Sequence, residues 1–246
     1  MIKNNKGLSL VELIIVIAIM SILSALIVPA VIRYIDKSKK AMDVQTAQTI
    51  YYAVELAMTS GNDDAYEGWS VCGGLGNNYA GTYFVSADGH LVQDGRKKKI
   101  SSDQSSEGVY EIRLVAWSRG AAYMNKDGET YENVLFKSSL DSGKDGDRQR
   151  AFTDEMLYCM AQESGRGGFD SSNRKNRFFD SKDGLVMKYR YNKEIYDNGT
   201  KYKPECWQIY RRQDNGNPEI WVGYKIKGGI NVPVVRIYPN TATEYK

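Results

Sequence analysis

The sequence contains a single histidine, His90, and this scarcity bears first on catalysis. Metal sites that need two imidazoles, and most relays in which histidine moves a proton, cannot be assembled from one ring. His90 follows Asp88-Gly89, a turn context in which an exposed polar residue is the ordinary explanation. A zinc site that combined His90 with the three cysteines is an alternative, but no two of these ligands share the short spacing typical of zinc sites. We therefore expect neither an enzyme nor a cofactor.

Cysteine is also scarce: Cys72, Cys159 and Cys206 are the only three, and all lie downstream of the long apolar segment described below. Three thiols allow at most one intramolecular disulfide bond, and one thiol is then left over. We expect a bond between Cys159 and Cys206, which would tie a predicted helix to a predicted strand. It would close a loop of about 48 residues and stabilise the fold by about 4 kcal/mol on the chain-entropy treatment.

Charge is missing from the first part of the chain, where Glu12 is the only charged side chain between Leu8 and Ile32. Leucine, isoleucine and valine supply most of the remainder. The twenty residues from Leu13 to Ile32 would form about 30 Å of helix, enough to cross the hydrocarbon of a bilayer. We therefore expect a membrane-spanning helix at the N-terminus.

The rest of the chain is polar, because the mean hydropathy of all 246 residues is −0.49 despite the apolar segment. About 210 residues follow that segment, enough for one large domain or two small ones. The formal net charge of +3 is close to neutrality and gives no argument for a polyanionic partner.

The residues before and within the apolar segment follow a distinctive order: Lys3 and Lys6, then Gly7, then the run Leu8–Glu12, then the apolar stretch. This order closely resembles the class III signal of type IV prepilins and of the pseudopilins of secretion and DNA-uptake machines. In that family a prepilin peptidase at the cytoplasmic face removes a short leader, which corresponds here to residues 1–7.

The resemblance implies cleavage after Gly7 and methylation of the new N-terminal residue, Leu8. Phenylalanine is usual at that position, so Leu8 is a mild departure from the pattern. Glu12 matches the acid that the family carries four residues after the cut, and Pro29 matches its helix-bending proline. We expect both residues to act in assembly, with partial melting of the helix after Ser24 as a hypothesis for the assembled state.

The physical chemistry of Glu12 agrees with this interpretation. A carboxylate in a spanning helix costs roughly 2.5–3.5 kcal/mol at the bilayer centre, and less near an interface, so it calls for a partner. The α-amine of another such helix would be a suitable cation. A pairing of this kind would give a helical filament a registry device based on one repeated contact.

Three other interpretations of the N-terminus were weighed. An ordinary secretory signal cleaved after Ala30 conflicts with the glutamate and with the length of the apolar core. A signal anchor of an unrelated surface protein is the second. The third is the inverted orientation, because the basic residues after the segment outnumber Lys3 and Lys6 and the positive-inside rule would place them in the cytoplasm. The basic residues in question are Arg33, Lys37, Lys39 and Lys40.

The helix is predicted to continue beyond the membrane, because residues 33–59 contain neither glycine nor proline. Apolar residues recur there at spacings of three and four, which indicates one buried face on a soluble helix. They are Val44, Ala47, Tyr51, Val54 and Met58. Ser60-Gly61-Asn62 supplies a stop. We expect one helix over residues 8–60, with residues 8–32 in the membrane or filament core.

An antiparallel sheet is predicted downstream, after a loop over residues 61–78. Repeated Asp-Gly pairs mark its turns. Its strands are expected at Tyr79–Ser86, Leu91–Gln93, Val109–Trp117 and Tyr131–Lys137. The sequence thus predicts an α+β fold in which a long N-terminal helical spine, membrane-spanning in its first half and amphipathic in its second, packs on an antiparallel β-sheet.

The pattern then restarts, with a helix at Arg148–Ser164 after an acidic loop. Four further strands follow it, at Leu185–Tyr191, Cys206–Arg212, Glu219–Lys225 and Val232–Tyr238. We therefore expect a first sheet lobe over residues 61–140 and a second helix-plus-sheet lobe over residues 141–246. The equal alternative is one domain with an enlarged variable region.

Two weaker binding candidates remain. Asp141, Asp145 and Asp147 with interleaved glycines could hold calcium, although their spacing does not match an EF-hand loop. The basic stretches Arg96–Lys99 and Arg166–Phe179, the second with interleaved phenylalanines, could contact single-stranded DNA. In both cases a solvated loop is the more ordinary explanation.

These observations predict a structural subunit of a type IV pilus-like filament, anchored with its N-terminus in the cytoplasm and displayed at the cell surface after assembly. The resemblance implies the prepilin peptidase, an assembly platform with its ATPase, and other pilin subunits as partners. The alternatives are a minor pilin whose second lobe binds a host surface or DNA, and a pseudopilin of a secretion or competence system.

Overall fold

The computed structural model describes most of the chain in separate stretches. These are residues 9–71, 82–89, 91, 108–118, 136–140, 143–164, 187–189, 195–197, 200–202, 204, 206–225 and 231–246. The helices are α1 (Leu10–Thr59), α2 (Asp63–Ser70) and α3 (Gly143–Ser164). The strands are β1 (Thr82–Val85), β2 (Tyr110–Ser118), β3 (Phe136–Ser138), β4 (Ile195–Asp197), β5 (Thr200–Tyr202), β6 (Cys206–Arg212), β7 (Pro218–Lys225) and β8 (Asn231–Tyr238).

The predicted spine is confirmed as one unbroken helix, α1, of 50 residues. At 1.5 Å per residue it is about 75 Å long. Ser9 precedes it in an extended conformation, and Ser60-Gly61 ends it, with Gly61 at a φ of +79°. Glycine is suited to that left-handed position because it has no Cβ.

The main sheet is antiparallel throughout its described part and has the order β1-β2-β6-β7-β8. β1 and β3 pair with the same edge of β2: β1 pairs with the first residues of β2, and β3 pairs with its last residues. The central pair, β2 and β6, joins strands separated by almost ninety residues of chain, from Ser118 to Cys206. β4 and β5 form a separate hairpin.

This topology bears on the two expected lobes. The sheet takes β1, β2 and β3 from before residue 140 and β6, β7 and β8 from after it. Hydrogen bonds between β2 and β6 cross the expected boundary, and α3 packs against α1 and α2. In the described part of the chain, strands from both sides of residue 140 therefore share one sheet, an arrangement that favours the alternative of one enlarged domain.

The two faces of the sheet bury different sets of side chains. One face packs on the helices, with Trp207, Ile209, Ile220 and Val222 against the buried side of α1. The opposite face is aromatic and includes Tyr83, Tyr110, Tyr210, Trp221 and Tyr224. The β-bulge between Leu114 and Ala116 places two consecutive residues, Val115 and Ala116, on the helix side. An extra residue in one strand shifts its alternation in this way.

Three local predictions were wrong. The loop expected after the spine contains α2, which Asn62 caps by accepting a hydrogen bond from the Ala65 N–H at 3.2 Å. The acidic loop before the second helix is helical from Gly143. The strand expected at Leu185–Tyr191 is irregular over its described residues, 187–189.

Close approach explains why α2 packs so tightly on α3. A Cβ added to Gly68 would lie 2.0 Å from the carbonyl oxygen of Arg148, so only glycine fits there. The rings of Trp69 and Phe152 pack at a tilt, with centroids 5.2 Å apart, and Trp69 Nε1 donates a hydrogen bond to the carbonyl of Gly216 at 3.1 Å. The short helix therefore links α3 to the turn between β6 and β7.

Candidate functional site

The candidate site is α1 itself, beginning with its N-terminal turn. Glu12 is exposed, and its Oε2 accepts a hydrogen bond from the backbone N–H of Ser9 at 2.9 Å. The carboxylate thus satisfies one of the amide groups that a helix start leaves without an intrahelical partner. A carboxylate has further lone pairs, so this bond does not exhaust its capacity to accept. Gly7 and Leu8, the predicted cleavage and methylation positions, lie outside the described residues.

The first half of α1 touches no other part of the described fold. Between Leu10 and Ile32 its large apolar side chains are 46–74% exposed. Its most apolar stretch has a mean hydropathy of 2.9 and none of it is buried. By length and composition, α1 is the one helix in the described part of the chain able to cross a membrane. We call residues 10–32 the bare half.

Pro29 lies inside this half and does not interrupt the helix. Proline has no N–H, so the carbonyl of Ala25, one turn earlier, receives no intrahelical hydrogen bond from it. Such a position is a weak point of a helix, although α1 is helical on both sides of it. The expected melting after Ser24 on assembly stays a prediction.

The second half of α1 buries one face in the domain, and we call residues 41–59 the packed half. Asp43, Ala47, Ile50, Val54 and Ala57 form the centre of that face. The predicted residues Val44, Tyr51 and Met58 lie at its edge, half-buried against the same core. The prediction therefore found the right face but centred it one residue too far along the chain, because it considered apolar residues and passed over Asp43.

Asp43 is fully buried and joins α1 to two distant segments. One carboxylate oxygen accepts the Lys188 N–H at 2.7 Å, and the other accepts the Tyr189 N–H at 2.9 Å and the Tyr245 hydroxyl. Burial raises the pKa of Asp43 above its ordinary value of 3.8, although these hydrogen bonds act in the opposite direction. Asp43 was not among the predicted site residues; its only signal in the sequence is that of a lone acid on the apolar side of an amphipathic helix.

A second buried charge cluster lies on the aromatic face of the sheet. Glu219 accepts hydrogen bonds from the Tyr110 hydroxyl and from Nε1 of Trp221, and Arg236 approaches it to 3.3 Å. The Arg212 guanidinium stacks over the Tyr110 ring at 3.7 Å. Each charge is therefore paired and hydrogen-bonded, as buried charges must be if they are not to destabilise the fold. The cluster joins β2, β6, β7 and β8.

Two of the three candidate calcium ligands lie in a helix and not in the predicted loop. Asp145 and Asp147 occupy the start of α3, where Arg148 lies 3.7 Å from Asp145 and Arg150 pairs with Asp147. No three His, Cys, Asp or Glu side chains within the described ranges converge to hold a metal ion. Asp141, Cys72 and His90 fall outside those ranges.

No disulfide bond joins Cys159 to Cys206 in the structure. Cys159 lies on α3 and packs against the core on the helix side of the sheet. Cys206 shares its strand face with Gln208 and Tyr210, and Tyr210 belongs to the aromatic side. Because side chains alternate between the two faces of a strand, Cys206 points to the aromatic face of the sheet, whereas Cys159 lies on the helix side. The prediction overlooked which face of β6 the cysteine would occupy.

The basic stretches proposed to contact DNA, Arg96–Lys99 and Arg166–Phe179, lie outside the described residues. The described site therefore consists of the Glu12 turn, the bare half with Pro29, and the packed half anchored through Asp43. Its arrangement suits attachment and packing, because one continuous helix joins a long apolar segment to a folded domain.

Comparison with known proteins identifies this N-terminal segment. No solved structure matches the chain. Residues 2–28 match the prokaryotic N-terminal methylation motif. The match covers the leader and most of the bare half, and it ends before the domain begins. The chain therefore carries at its N-terminus the class III signal peptide of type IV pilins, as found on pilin-like and pseudopilin-like precursors.

Proposed function

We propose that the protein is a structural subunit of a type IV pilus-like filament. A prepilin peptidase cleaves it after Gly7, Leu8 is then methylated, and the bare half of α1 packs against the same helix of other subunits. The observation that carries this proposal is a contrast within one helix. The 23 residues of the bare half are exposed, whereas the packed half buries one face in the domain.

Apolar surface of this extent requires a cover. Removing apolar side chains from water is favourable by roughly 25 cal/mol per Å², and the domain covers none of the bare half. A bilayer provides the cover before assembly, and other helices of the same kind provide it afterwards. The subunit is then a single-pass membrane protein with a cytoplasmic N-terminus, and later part of a surface filament.

Glu12 acts in assembly by accepting the methylated amine of a neighbouring Leu8. In the isolated chain its carboxylate already accepts the Ser9 N–H, so the turn holds it in place near the start of the helix. An incoming cation adds a charge-assisted hydrogen bond to an acceptor that is already positioned. Pro29 supplies a place where the helix yields as it enters the filament core.

The required partners are the prepilin peptidase, an assembly platform with its ATPase, and sibling pilins. The test is the intact mass and N-terminal sequence of protein recovered from sheared cell-surface material. The chain should begin at methylated Leu8. Gly7→Val should abolish cleavage, and Glu12→Ala should leave cleavage intact but reduce incorporation into filaments; Lys144→Ala, at an exposed lysine of α3, is the control. A full-length N-terminus, or a cut after Ala30, would overturn the proposal.

A minor pilin or a pseudopilin is the second candidate, favoured by size. The mature chain would have 239 of the 246 residues, which is large for the bulk subunit of a filament. Abundance in sheared filaments separates a major from a minor subunit. Loss of protein export or of transformation in a deletion strain would instead identify a pseudopilin, and loss of binding to host cells or DNA an adhesive tip.

A further inference from the structure

The end of the domain nearest the bare half is basic. Immediately after Ile32, α1 carries Arg33, Lys37 and Lys39 as exposed side chains and Lys40 as a half-buried one. Tyr34, 75% exposed, stands among them. In sequence this is a short charged run, and such runs are most often only solvated surface.

The fold brings two more lysines to the same level. Asp43 binds the Lys188 N–H and the Tyr245 hydroxyl, so the 187–189 segment and the C-terminal turn both meet α1 beside the basic run. Lys40 Nζ lies 4.9 Å from the ring centre of Tyr189 and 5.9 Å from that of Tyr245. Lys188 is half-buried, and Lys246, next to Tyr245, is exposed.

We call this surface the basic underside. It consists of Arg33, Lys37, Lys39, Lys40, Lys188 and Lys246. The acids of the same three segments are Asp36, Asp43 and Glu244, and the carboxylate of Asp43 is buried. Within these three described segments, basic residues therefore outnumber acids by six to three.

Distance along the helix decides which of these charges can reach a membrane that covers the bare half. At 1.5 Å per residue, Arg33, Lys37 and Lys40 lie about 2, 8 and 12 Å beyond Ile32. A headgroup layer is about 5–8 Å thick, and the Debye length at physiological salt is about 8 Å. Helix side chains also tilt toward the helix N-terminus, which here is toward the bilayer. Arg33 and Lys37 are thus within reach, whereas Lys188 and Lys246 act only at longer range.

We propose that the basic underside binds the anionic phosphates of lipid headgroups in the leaflet from which the domain emerges. The inference rests on the proposed membrane-anchored precursor. Arg33 and Lys37 bind the headgroups directly, and Tyr34 lies in the interfacial layer that aromatic side chains favour. The contact accounts for basic residues on the non-cytoplasmic side, where the positive-inside rule disfavours them. It also holds the subunit at a fixed depth until assembly removes it from the bilayer.

The test uses the full-length protein reconstituted into phosphatidylcholine vesicles with roughly 30% phosphatidylglycerol. Spin-labelled phosphatidylglycerol and phosphatidylcholine report, from the motionally restricted fraction, which lipid the protein selects. We expect a preference for phosphatidylglycerol of about threefold or more, which falls toward unity in high salt and in an Arg33→Gln/Lys37→Gln/Lys39→Gln variant. Lys144→Gln, at an exposed lysine of α3 beside α2, should keep the preference.

Each outcome bears on one proposal. No lipid preference in the wild type, or one that survives the triple substitution, would overturn the headgroup contact. If the triple variant keeps the preference but fails to form filaments, the basic underside contacts a neighbouring subunit instead. Alkaline carbonate extraction is the separate check on anchoring: release of the wild type from vesicles would contradict the proposed function itself and not merely this contact.

Discussion

The two halves of α1 belong to one continuous helix yet have opposite surroundings. In the bare half the large apolar side chains are about half exposed or more, whereas in the packed half Ala47, Ile50 and Val54 are fully buried. Each half also has one notable acid, with Glu12 exposed in the first turn and Asp43 buried at the domain. Backbone helicity alone therefore says nothing about what stabilises a segment, because its side chains decide what must cover it.

Because their surroundings differ, the packed half and the bare half should respond independently to substitution. The packed half contributes to the stability of the fold, because its face is part of the main core. None of the bare half is buried in the domain, so substitutions there should leave the domain unaffected.

The largest expected effect is that of a charge introduced into the packed half. Ile50→Asp should destabilise the domain by about 4 kcal/mol or more, since a fully buried carboxylate would have no partner. Ile17→Asp, at a residue 55% exposed in the bare half, should leave domain stability within about 0.5 kcal/mol of the wild type but impair membrane insertion. Urea unfolding in mild detergent, followed by fluorescence of the buried Trp69, Trp207 and Trp221, measures both. Equal destabilisation by the two variants would contradict the division.

Removal of the two acids should separate stability from assembly. Asp43→Ala should cost about 2–4 kcal/mol, because the Lys188 and Tyr189 amides and the Tyr245 hydroxyl lose their acceptor. Glu12→Ala should leave domain unfolding unchanged and affect only filament incorporation. The same urea titration serves here, with Asp43→Asn as the conservative control. A stable Asp43→Ala variant would show that the C-terminal turn is held by its other contacts.

A smaller effect concerns pH. Burial raises the pKa of Asp43 above 3.8, so the folded state binds a proton more readily than the unfolded state. The wild type should therefore gain stability relative to Asp43→Asn as the pH falls from neutrality through the raised pKa to about 3.8, by about 1.4 kcal/mol per unit of pKa difference. Using the difference between variants removes the opposing effect of Asp214, whose pKa is lowered by Arg212. A pH-independent difference would show that Asp43 has an ordinary pKa.

The smallest effect is expected at Pro29. Pro29→Ala should supply the missing hydrogen bond to the Ala25 carbonyl and slow amide hydrogen exchange in that turn, while domain stability changes by less than about 0.5 kcal/mol. Exchange measured by mass spectrometry on protein in detergent micelles would detect the local change. Unaltered exchange around residue 29 would mean that the proline is not a weak point of the helix.

Local pattern was sufficient to predict much of the fold. Five elements lie within two residues of their predicted bounds: the spine, β2, β6, β7 and β8. Each has enough apolar periodicity or enough turn residues at its ends to be predicted without knowledge of its neighbours in the fold. The Asn215-Gly216 turn between β6 and β7 is also present, with Gly216 at a φ of +76°. Short elements fared worse: α2 has eight residues and β4 and β5 three each, too few for a period to be visible.

The sequence was least informative about pairings between distant segments. The Cys159–Cys206 prediction required knowledge of which sheet face holds Cys206, and the choice between two lobes and one enlarged domain required knowledge of the partner of β2. Asp43 was overlooked because its partners are more than 140 residues away. Local periodicity cannot report such contacts, since they depend on strand order and on the path of the chain between elements.

Length, hydropathy and the order of residues around Gly7 and Glu12 were enough to predict the long apolar helix and its class III signal, because these features act locally. Tertiary structure alone decided that one sheet joins both parts of the chain. It also decided that Asp43 binds the C-terminal turn to the spine, and that Lys188 and Lys246 meet the basic run after Ile32. The physical reason is that a folded core brings together surfaces from distant segments, and their combined charge and burial exist only once the chain has closed on itself.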